Sequence, residues 1–295
     1  MLSKEAVEST RKAGEIVRKI KSEAKDWIKQ GMPLIEIAEK IEERIVKLGG
    51  KVAFPVNLGI NEYAAHYTPN HEDKTIAYGL LKVDFGVQVK GYVADNAFSI
   101  NLDKSEKNKK LIEASELALA EAIESIKRGE TLGEIGSAIQ KTALDAGFSA
   151  IQNLSGHSIE QWELHSGLTI PNYNNNSSIV LEEGVYAIEP FVTTGEGKVY
   201  DGKPSGIYQL KKTGGVRDSN AREILKYISE EYNTLPFCSR WLVKKFGTRA
   251  LISLSFLESA GMLHQFTQLV EKSKAPVAQS EATIIILGED VEIVT

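Results

Sequence analysis

An α+β fold made of two halves related by a pseudo-two-fold axis is the class this 295-residue sequence predicts. Three observations carry it. Ile28–Gly49 aligns without a gap on Ile126–Gly147, with eight identities in 22 positions, among them Gly31/Gly129, Leu34/Leu132, Ile37/Ile135, Ile41/Ile139 and Gly49/Gly147. A polar Asn-Leu pair follows each segment, Asn57-Leu58 and then Asn153-Leu154. A strand pattern ending in an acid comes next each time, Leu81–Asp84 and Tyr186–Glu189. Coincidence can produce two similar amphipathic helices, but the same order of features twice argues for a repeat. The composition, 42% hydrophobic and 25% charged, suits a globular chain with a sizeable core.

The elements follow in order. Residues 6–28 read as a helix, with Ala13, Ile16, Val17, Ile20, Ala24, Trp27 and Ile28 stepping by three and four. A second helix starts at Pro33, a good first-turn residue, and stops at Gly49-Gly50. A third spans about Ser105–Lys127. A fourth opens on the capping-box pattern Thr131-Leu-Gly-Glu134 and ends at Gly147. After Glu189 the repeat breaks. Between Lys211 and Phe266 the pattern turns helical (Ala221–Tyr232, Pro236–Lys245, Arg249–Gly261), which predicts a helical insertion over about 206–266 in the second half of a single domain spanning 1–295. The last predicted strand is Ala282–Leu287.

Several classes are excluded. The longest aliphatic run, Ile284–Leu287, falls far short of the roughly 20 residues of a membrane span, so no membrane partner is expected. The N-terminus is charged from Lys4 and lacks the apolar region of a signal peptide. Cys238 is the single cysteine, which forbids an internal disulfide or a cysteine-based zinc site and favours a cytoplasmic location. A net charge of −5 argues against broad nucleic-acid binding, and no specific DNA binding is expected.

The segment Leu81–Ile100 is the most informative. Leu81, Val83, Phe85, Val87 and Val89 alternate with polar or small residues, and Lys90-Gly91 can make a hairpin turn. That register sets Val89 against Tyr92, Gly86 against Asp95 and Asp84 against Ala97. Asp84 and Asp95 are then diagonal neighbours on one face, beside small residues that leave room. Two carboxylates this close repel, share a proton or hold a cation; an exposed acidic face without a ligand is the plainer reading of the hairpin alone. By symmetry Glu189 takes the place of Asp84, and Glu281, opening the last strand, that of Asp95. His157 adds a nitrogen. Four carboxylates and one imidazole exceed the needs of one tetrahedral ion and suit two divalent ions, with Mn, Fe(II) or Co chemistry favoured over structural zinc. There is no His-Glu-x-x-His helix. His66 and His165 become candidates for hydrogen bonding and proton transfer beside such a pair. The even spacing of His157 and His165 would put them on one face of a continuous strand. His71 and His264 read as bland, and Cys238 as packed.

These residues resemble a known family. Asn153–Gly167 is similar to the signature of type II methionine aminopeptidases. Ala53-Phe-Pro-Val-Asn57, Ala64–Pro69, Val83-Asp-Phe-Gly86, Ala94-Asp95, Ala187–Phe191 and Thr234-Leu-Pro-Phe237 match it too, so the resemblance covers essentially the whole chain. The absence of a long N-terminal extension makes it similar to the compact archaeal form. The resemblance implies the pita-bread fold in one catalytic domain. It implies removal of the initiator methionine from nascent polypeptides when the second residue is small. Asp84, Asp95, His157, Glu189 and Glu281 would ligate two divalent ions (Co, Mn, Fe(II) or Zn), with Asp95 and Glu281 bridging. His66 and His165 would contact the substrate backbone and the transition state, and Glu189 could also relay a proton. Phe54, Pro55, Leu164 and Phe191 would line the methionine pocket. The chain departs from the family pattern at Ala282, where His is usual after the last ligand, at Ser280, and at Asn96. A proline-specific peptidase of the same fold usually carries a separate N-terminal domain, for which the residues before Phe54 leave no space. A catalytically dead relative would have lost ligands that this chain retains. Lys211–Arg249 carries nine Lys/Arg against four Asp/Glu. Solvated helix faces explain this; transient contact with the ribosome, where nascent N-termini emerge, is the alternative.

Overall fold

The computed structural model describes residues 2–295. The first half runs α1 (Lys4–Trp27), α2 (Leu34–Lys47), β1 (Lys51–Val52), β2 (Asn57–Ile60), β3 (Tyr63–Ala65), β4 (Leu80–Asp84), β5 (Val87–Val89), β6 (Tyr92–Ala94) and β7 (Ala97–Asn101). The second half begins α3 (Glu106–Lys127), α4 (Leu132–Asp145), β8 (Ser149–Ala150), β9 (Ser155–Ile159), β10 (Thr169–Pro171), β11 (Gly184–Ile188), β12 (Phe191–Thr193) and β13 (Val199–Leu210). It then detours through α5 (Ser219–Glu231), β14 (Phe237–Cys238), α6 (Ser239–Phe246) and α7 (Arg249–Ser259). It returns with β15 (Leu263–Glu271), β16 (Val277–Gln279), β17 (Ala282–Leu287) and β18 (Asp290–Ile293).

The pseudo-symmetry is explicit in the sheets. β2-β4-β7 has its counterpart in β9-β11-β17, and β1-β5-β6 in β8-β12-β16. α2 and α4 are both 14 residues long and occupy aligned positions. The aligned glycines are identical for a backbone reason. Gly31 and Gly129 have φ of 87° and 71°, and Gly49 and Gly147 have 85° and 83°, a region that L side chains enter only with strain. α4 opens on the predicted capping box: Glu134 N–H donates to Thr131 Oγ1 (3.3 Å) and Thr131 N–H to Glu134 Oε2 (2.8 Å). Pro33 stands at the N-cap of α2 rather than in its first turn.

Each half packs its two helices on its own sheet. α1 and α2 bury Ile16, Val17, Ile20, Ile37 and Ile41 against Leu58, Leu81 and Val83. α3 and α4 bury Leu111, Ala118, Ile135 and Ile139 against Ile188 and Ile284. The helices therefore cover the outer faces, and the strand ends of both halves converge inside. This is the α+β pita-bread architecture, with the helices α5–α7 set into its second half.

Two differences from the sequence reading concern that second half. The apolar steps near Met262–Phe266 fit a helix or a strand, and the chain makes them strand. β15 pairs with β13 over most of its length, with two register shifts, and with β3, where Leu269 faces Ala65. The helices themselves span only 219–259, and the flanks of the 206–266 segment belong to this ribbon. β18, which pairs with β17, was not predicted, although Asp290-Val291-Glu292-Ile293 alternates polar and apolar residues; four residues make a short pattern. α6 is fastened to the first half by Arg240. Its guanidinium donates to both oxygens of the buried Glu42 (2.9 and 2.7 Å) and to Pro69 O (3.0 Å), and Trp241 Nε1 adds a bond to Glu42 (2.9 Å). Among the described residues, no helix is long and apolar enough to cross a membrane.

Candidate metal centre

Five strand ends meet between the halves. Asp84 closes β4, opposite Asn57 and Ala97; Asp95 follows β6, His157 lies within β9, Glu189 follows β11, and Glu281 precedes β17. Asp95, His157 and Glu281 each offer one ligand atom, all within 4.8 Å of one another and all buried. His157 Nε2 is 3.7 Å from Asp95 Oδ2 and 3.5 Å from Glu189 Oε1. Gln279 Nε2 donates to Glu189 Oε2 (3.4 Å). Asp95 is held by its backbone: its N–H donates to Thr283 Oγ1 (2.7 Å), whose hydroxyl donates back to Asp95 O (2.8 Å). The hairpin register agrees with expectation, Val89 facing Tyr92 and Asp84 facing Ala97. The symmetry is one residue out at both glutamates: Ile188 faces Ala282 as Asp84 faces Ala97, which sets Glu189 against Phe85. β6 and β16, and then β7 and β17, begin equally far apart in sequence, which sets Glu281 against Asn96 rather than Asp95. The longer glutamate side chain covers the difference.

The donor set fits divalent cations. Glu281 Oε1 is buried without a hydrogen-bond partner, and a buried carboxylate oxygen needs a donor, a proton or a cation. Burial, then repulsion from Asp95, holds Asp84, Glu189 and Glu281 well above the usual carboxylate range; burial pushes Asp95 up to about 7. Burial also holds His157 down to about 4, so at neutral pH its imidazole is neutral. Its Nδ1 faces Ser158 O (3.4 Å), which leaves an Nε2 lone pair aimed at the acids. Neutral nitrogen beside crowded carboxylates repels them unless a proton or a cation lies between. Lys21, whose ammonium charge acts on Glu281, bonds Asn96 Oδ1 (2.8 Å) and not a carboxylate of the site.

These shifts set a pH dependence for metal-free protein. A carboxyl with a raised native pKa keeps a proton that the unfolded chain has lost. Its stabilisation is full below the ordinary carboxylate pKa and is lost as pH rises through the native value. His157 acts oppositely: its contribution grows from about pH 4 and is complete above the ordinary histidine value of about 6.5. Above about pH 6.5 the histidine contribution is complete; burial also holds Lys82 down to about 7 and Lys21 down to about 8, and their contributions grow with pH where those of the carboxylates fall. Thermal melts should therefore show the Tm of metal-free protein falling relative to that of metal-loaded protein between about pH 6.5 and 8. Equal pH profiles for the two forms would contradict this assignment of the carboxylates.

One cavity of about 370 Å³ opens onto these groups. All eleven residues singled out from the sequence line it: Phe54, Pro55, His66, Asp84, Asp95, His157, Leu164, His165, Glu189, Phe191 and Glu281. His165 does not share a continuous strand with His157. β9 ends at Ile159, and the chain turns through Trp162, at φ 63°, before returning along Ser158. That turn brings the two rings edge to face, 4.3 Å apart. His165 faces the cavity solvent; the enclosing walls, then His157 and His66, keep it below the ordinary histidine pKa. His66 adopts φ 59°, and its Nδ1–H donates to Thr267 O (3.1 Å), so its other nitrogen is a lone pair. Its ring rests on Phe266, which in turn meets His264. His264 is thus a strand residue one ring away from the site, not a helix residue. Ile207, Pro236, Phe266 and Leu269 also line the cavity but were not singled out. The places of Phe266 and Leu269 depend on the pairing of β15 with β3 and β13, which no local pattern announced. Asn57 was noted as part of the repeat and of a family motif but given no role, yet it faces Asp84 and lines the cavity.

The sequence pattern of Metallopeptidase family M24 matches residues 8–221. A methionine aminopeptidase of Thermococcus onnurineus is 45% identical over 289 residues, covering 96% of this chain and 97% of the relative. Among solved structures, a thermophilic Arx1 superposes with a TM-score of 0.84 at 18% identity, covering 100% of this chain and 91% of its own. The methionine aminopeptidase of Thermotoga maritima gives 0.71 at 24% identity, covering 100% and 98%. The two structural likenesses speak to the fold. The matched family pattern and the near-complete alignment at high identity establish that this chain belongs to metallopeptidase family M24, on its methionine aminopeptidase branch.

Proposed function

We propose that the enzyme's removal of N-terminal methionine runs on two divalent ions, Mn, Fe(II), Co or Zn, held by Asp84, Asp95, His157, Glu189 and Glu281. Asp95 and Glu281 would be the bridging pair. The observation that carries this is the convergence of these five residues, from both halves, on one cavity with the orphaned Glu281 oxygen. When bound, such ions supply water activated for attack near neutral pH. The remaining work belongs to side chains. Phe54, Pro55, Leu164 and Phe191 give apolar walls for an unbranched thioether. His66, a neutral acceptor, would orient the scissile amide. His165 would donate to the oxyanion, and Glu189 would also pass a proton to the leaving amine. The unit of function would be one catalytic domain over 1–295, its site of action the cytoplasm, with the segment about 206–266 as an inserted wall.

That wall sets the choice of second residue. Fit to one side chain discriminates by only about 1–3 kcal/mol per methylene-sized unit, so rejection of bulk must be steric. Ile207, Pro236 and Phe266 line the cavity, and the Phe266 ring meets that of His66. Metal-reconstituted protein should release methionine from Met-Ala-Ser and spare Met-Phe-Ser and Ala-Pro peptides. Equal turnover of the first two would show that the steric filter is absent; cleavage of Ala-Pro alone would overturn the methionine pocket.

A transient ribosome contact would use the basic segment 211–249. Two of its lysines are already engaged, Lys244 with Glu39 (3.2 Å) and Lys245 over Tyr227 (4.3 Å). Lys212 and Arg217 are exposed. Reversing both to Glu should weaken co-sedimentation with ribosomes at low salt. An unchanged profile would mean that these charges only solvate the helices.

A further inference from the structure

Lys82 is the anomaly of the core. It is 1% exposed, two residues before Asp84 on the same face of β4, and it forms no ion pair among the described residues. An amine buried without a carboxylate partner is costly unless its N–H groups find acceptors. Lys82 Nζ finds two, both main-chain carbonyls at 2.8 Å: Asn61 O and Val277 O. These come from different halves. Asn61 lies in the turn between β2 and β3 and is tied to β4 twice, by Asn61 N–H to Leu80 O (2.8 Å) and Leu80 N–H to Asn61 Oδ1 (3.0 Å). Val277 opens β16, the strand that carries Gln279, the partner of Glu189, and leads to Glu281. Val277 N–H also donates to Asn61 O (3.0 Å). Space for the lysine is made by Gly59, where a Cβ would lie 3.0 Å from Lys82 Cε and 2.3 Å from Tyr63 O.

We propose that Lys82 is a positioning residue of the metal centre: its side-chain nitrogen, bonded to one carbonyl from each half, fixes the spacing between the strand that carries Asp84 and the segment that carries Glu281. The halves are also joined beside the ligands by Thr283 Oγ1 with Asp95 and by Ser99 Oγ with Gln279, but neither of these joins starts from β4, the strand of Asp84. The inference rests on the metal-site reading above, and it explains why a core position adjacent to a ligand holds lysine and not an aliphatic residue.

The test is a calorimetric Mn²⁺ titration of wild type and Lys82→Met, in potassium chloride and in choline chloride of equal ionic strength, with kcat and KM on Met-Ala-Ser beside it. Lys82→Met keeps most of the stem and removes the donors. Its Mn²⁺ affinity should fall by about tenfold or more, the range for losing a group that orients metal ligands. Its kcat should fall with KM little changed, and potassium, which can sit between two carbonyl oxygens, should recover part of the affinity where choline does not. Wild-type Mn²⁺ affinity and kcat in Lys82→Met would overturn the proposal, as would a loss identical in both salts. If Lys82→Met lacks a cooperative melt in both salts, Lys82→Gln, one atom too short to reach both carbonyls, is titrated instead: lowered affinity restored in part by potassium supports the proposal, and wild-type affinity overturns it. Failure of the metal reading itself looks different, because wild-type protein would then bind no Mn²⁺ that Glu281→Gln abolishes.

Discussion

Glu281→Gln should cost the protein two to three orders of magnitude in divalent-metal affinity and essentially all peptidase activity. The substitution is nearly isosteric, so the packing of this buried segment survives. What changes is charge. Glu281 Oε1 has no hydrogen-bond donor, and its carboxyl sits among Asp95, Glu189 and Asp84, all buried or half-buried. In metal-free protein the substitution removes a repulsive group and should raise Tm slightly. In metal-loaded protein it removes one partner of a buried charge pairing, a change worth about 3–4 kcal/mol, the lower part of the range for breaking such a pair, or roughly 10²–10³ in affinity. The two effects have opposite signs, so one variant measured with and without Mn²⁺ separates a ligand from a structural acid. A variant destabilised equally in both conditions would make Glu281 a packing residue.

His165→Ala should lower kcat by about 10²–10³, the usual cost of losing one donor to a developing oxyanion, and should leave metal content unchanged. The geometry supports this split. His157, not His165, points its Nε2 at the carboxylates, and His165 stacks on the outer edge of His157 with its own ring toward the cavity. Its depressed pKa keeps it neutral at pH 7, so it offers one N–H and no net charge that would repel bound cations. The segment that presents it is anchored independently, by Ser166 Oγ on Ser158 Oγ (2.7 Å) and Leu168 N–H on the same hydroxyl (3.1 Å), so truncating the ring should not loosen the turn. Loss of metal together with activity would instead make His165 a ligand.

Much of this site could be read before any coordinates, because the information was local. The hairpin from Leu81 to Ile100 fixes its own register through strand alternation and a two-residue turn, and that register alone makes Asp84 and Asp95 neighbours. The repeat carried the argument to Glu189 and Glu281, since glycines at aligned positions are required by the same left-handed backbone in both halves. What was illegible was non-local. Phe266 and Leu269 reach the cavity only because β15 pairs with β3 some two hundred residues earlier. The meeting of His157 and His165 depends on a turn at Trp162, which packs on Gly91: a Cβ there would lie 2.3 Å from the indole. Lys82 carried no sequence signal, because a lysine in a strand ordinarily faces solvent. The departures at Ser280 and Asn96 acquire contacts in the structure. Ser280 bonds Ser115 of α3 (2.7 Å) and Asn96 bonds Lys21 of α1 (2.8 Å), so each residue beside a bridging candidate is tied to a helix of its own half.

The most direct test of the two-ion centre is diffraction at the manganese absorption edge from crystals of the Mn²⁺-loaded protein. The account predicts two anomalous peaks about 3.5–4 Å apart, enclosed by Asp84, Asp95, His157, Glu189 and Glu281, with carboxylates of Asp95 and Glu281 shared between them. A single peak, or peaks ligated by other residues in protein that still releases methionine from Met-Ala-Ser, would contradict it.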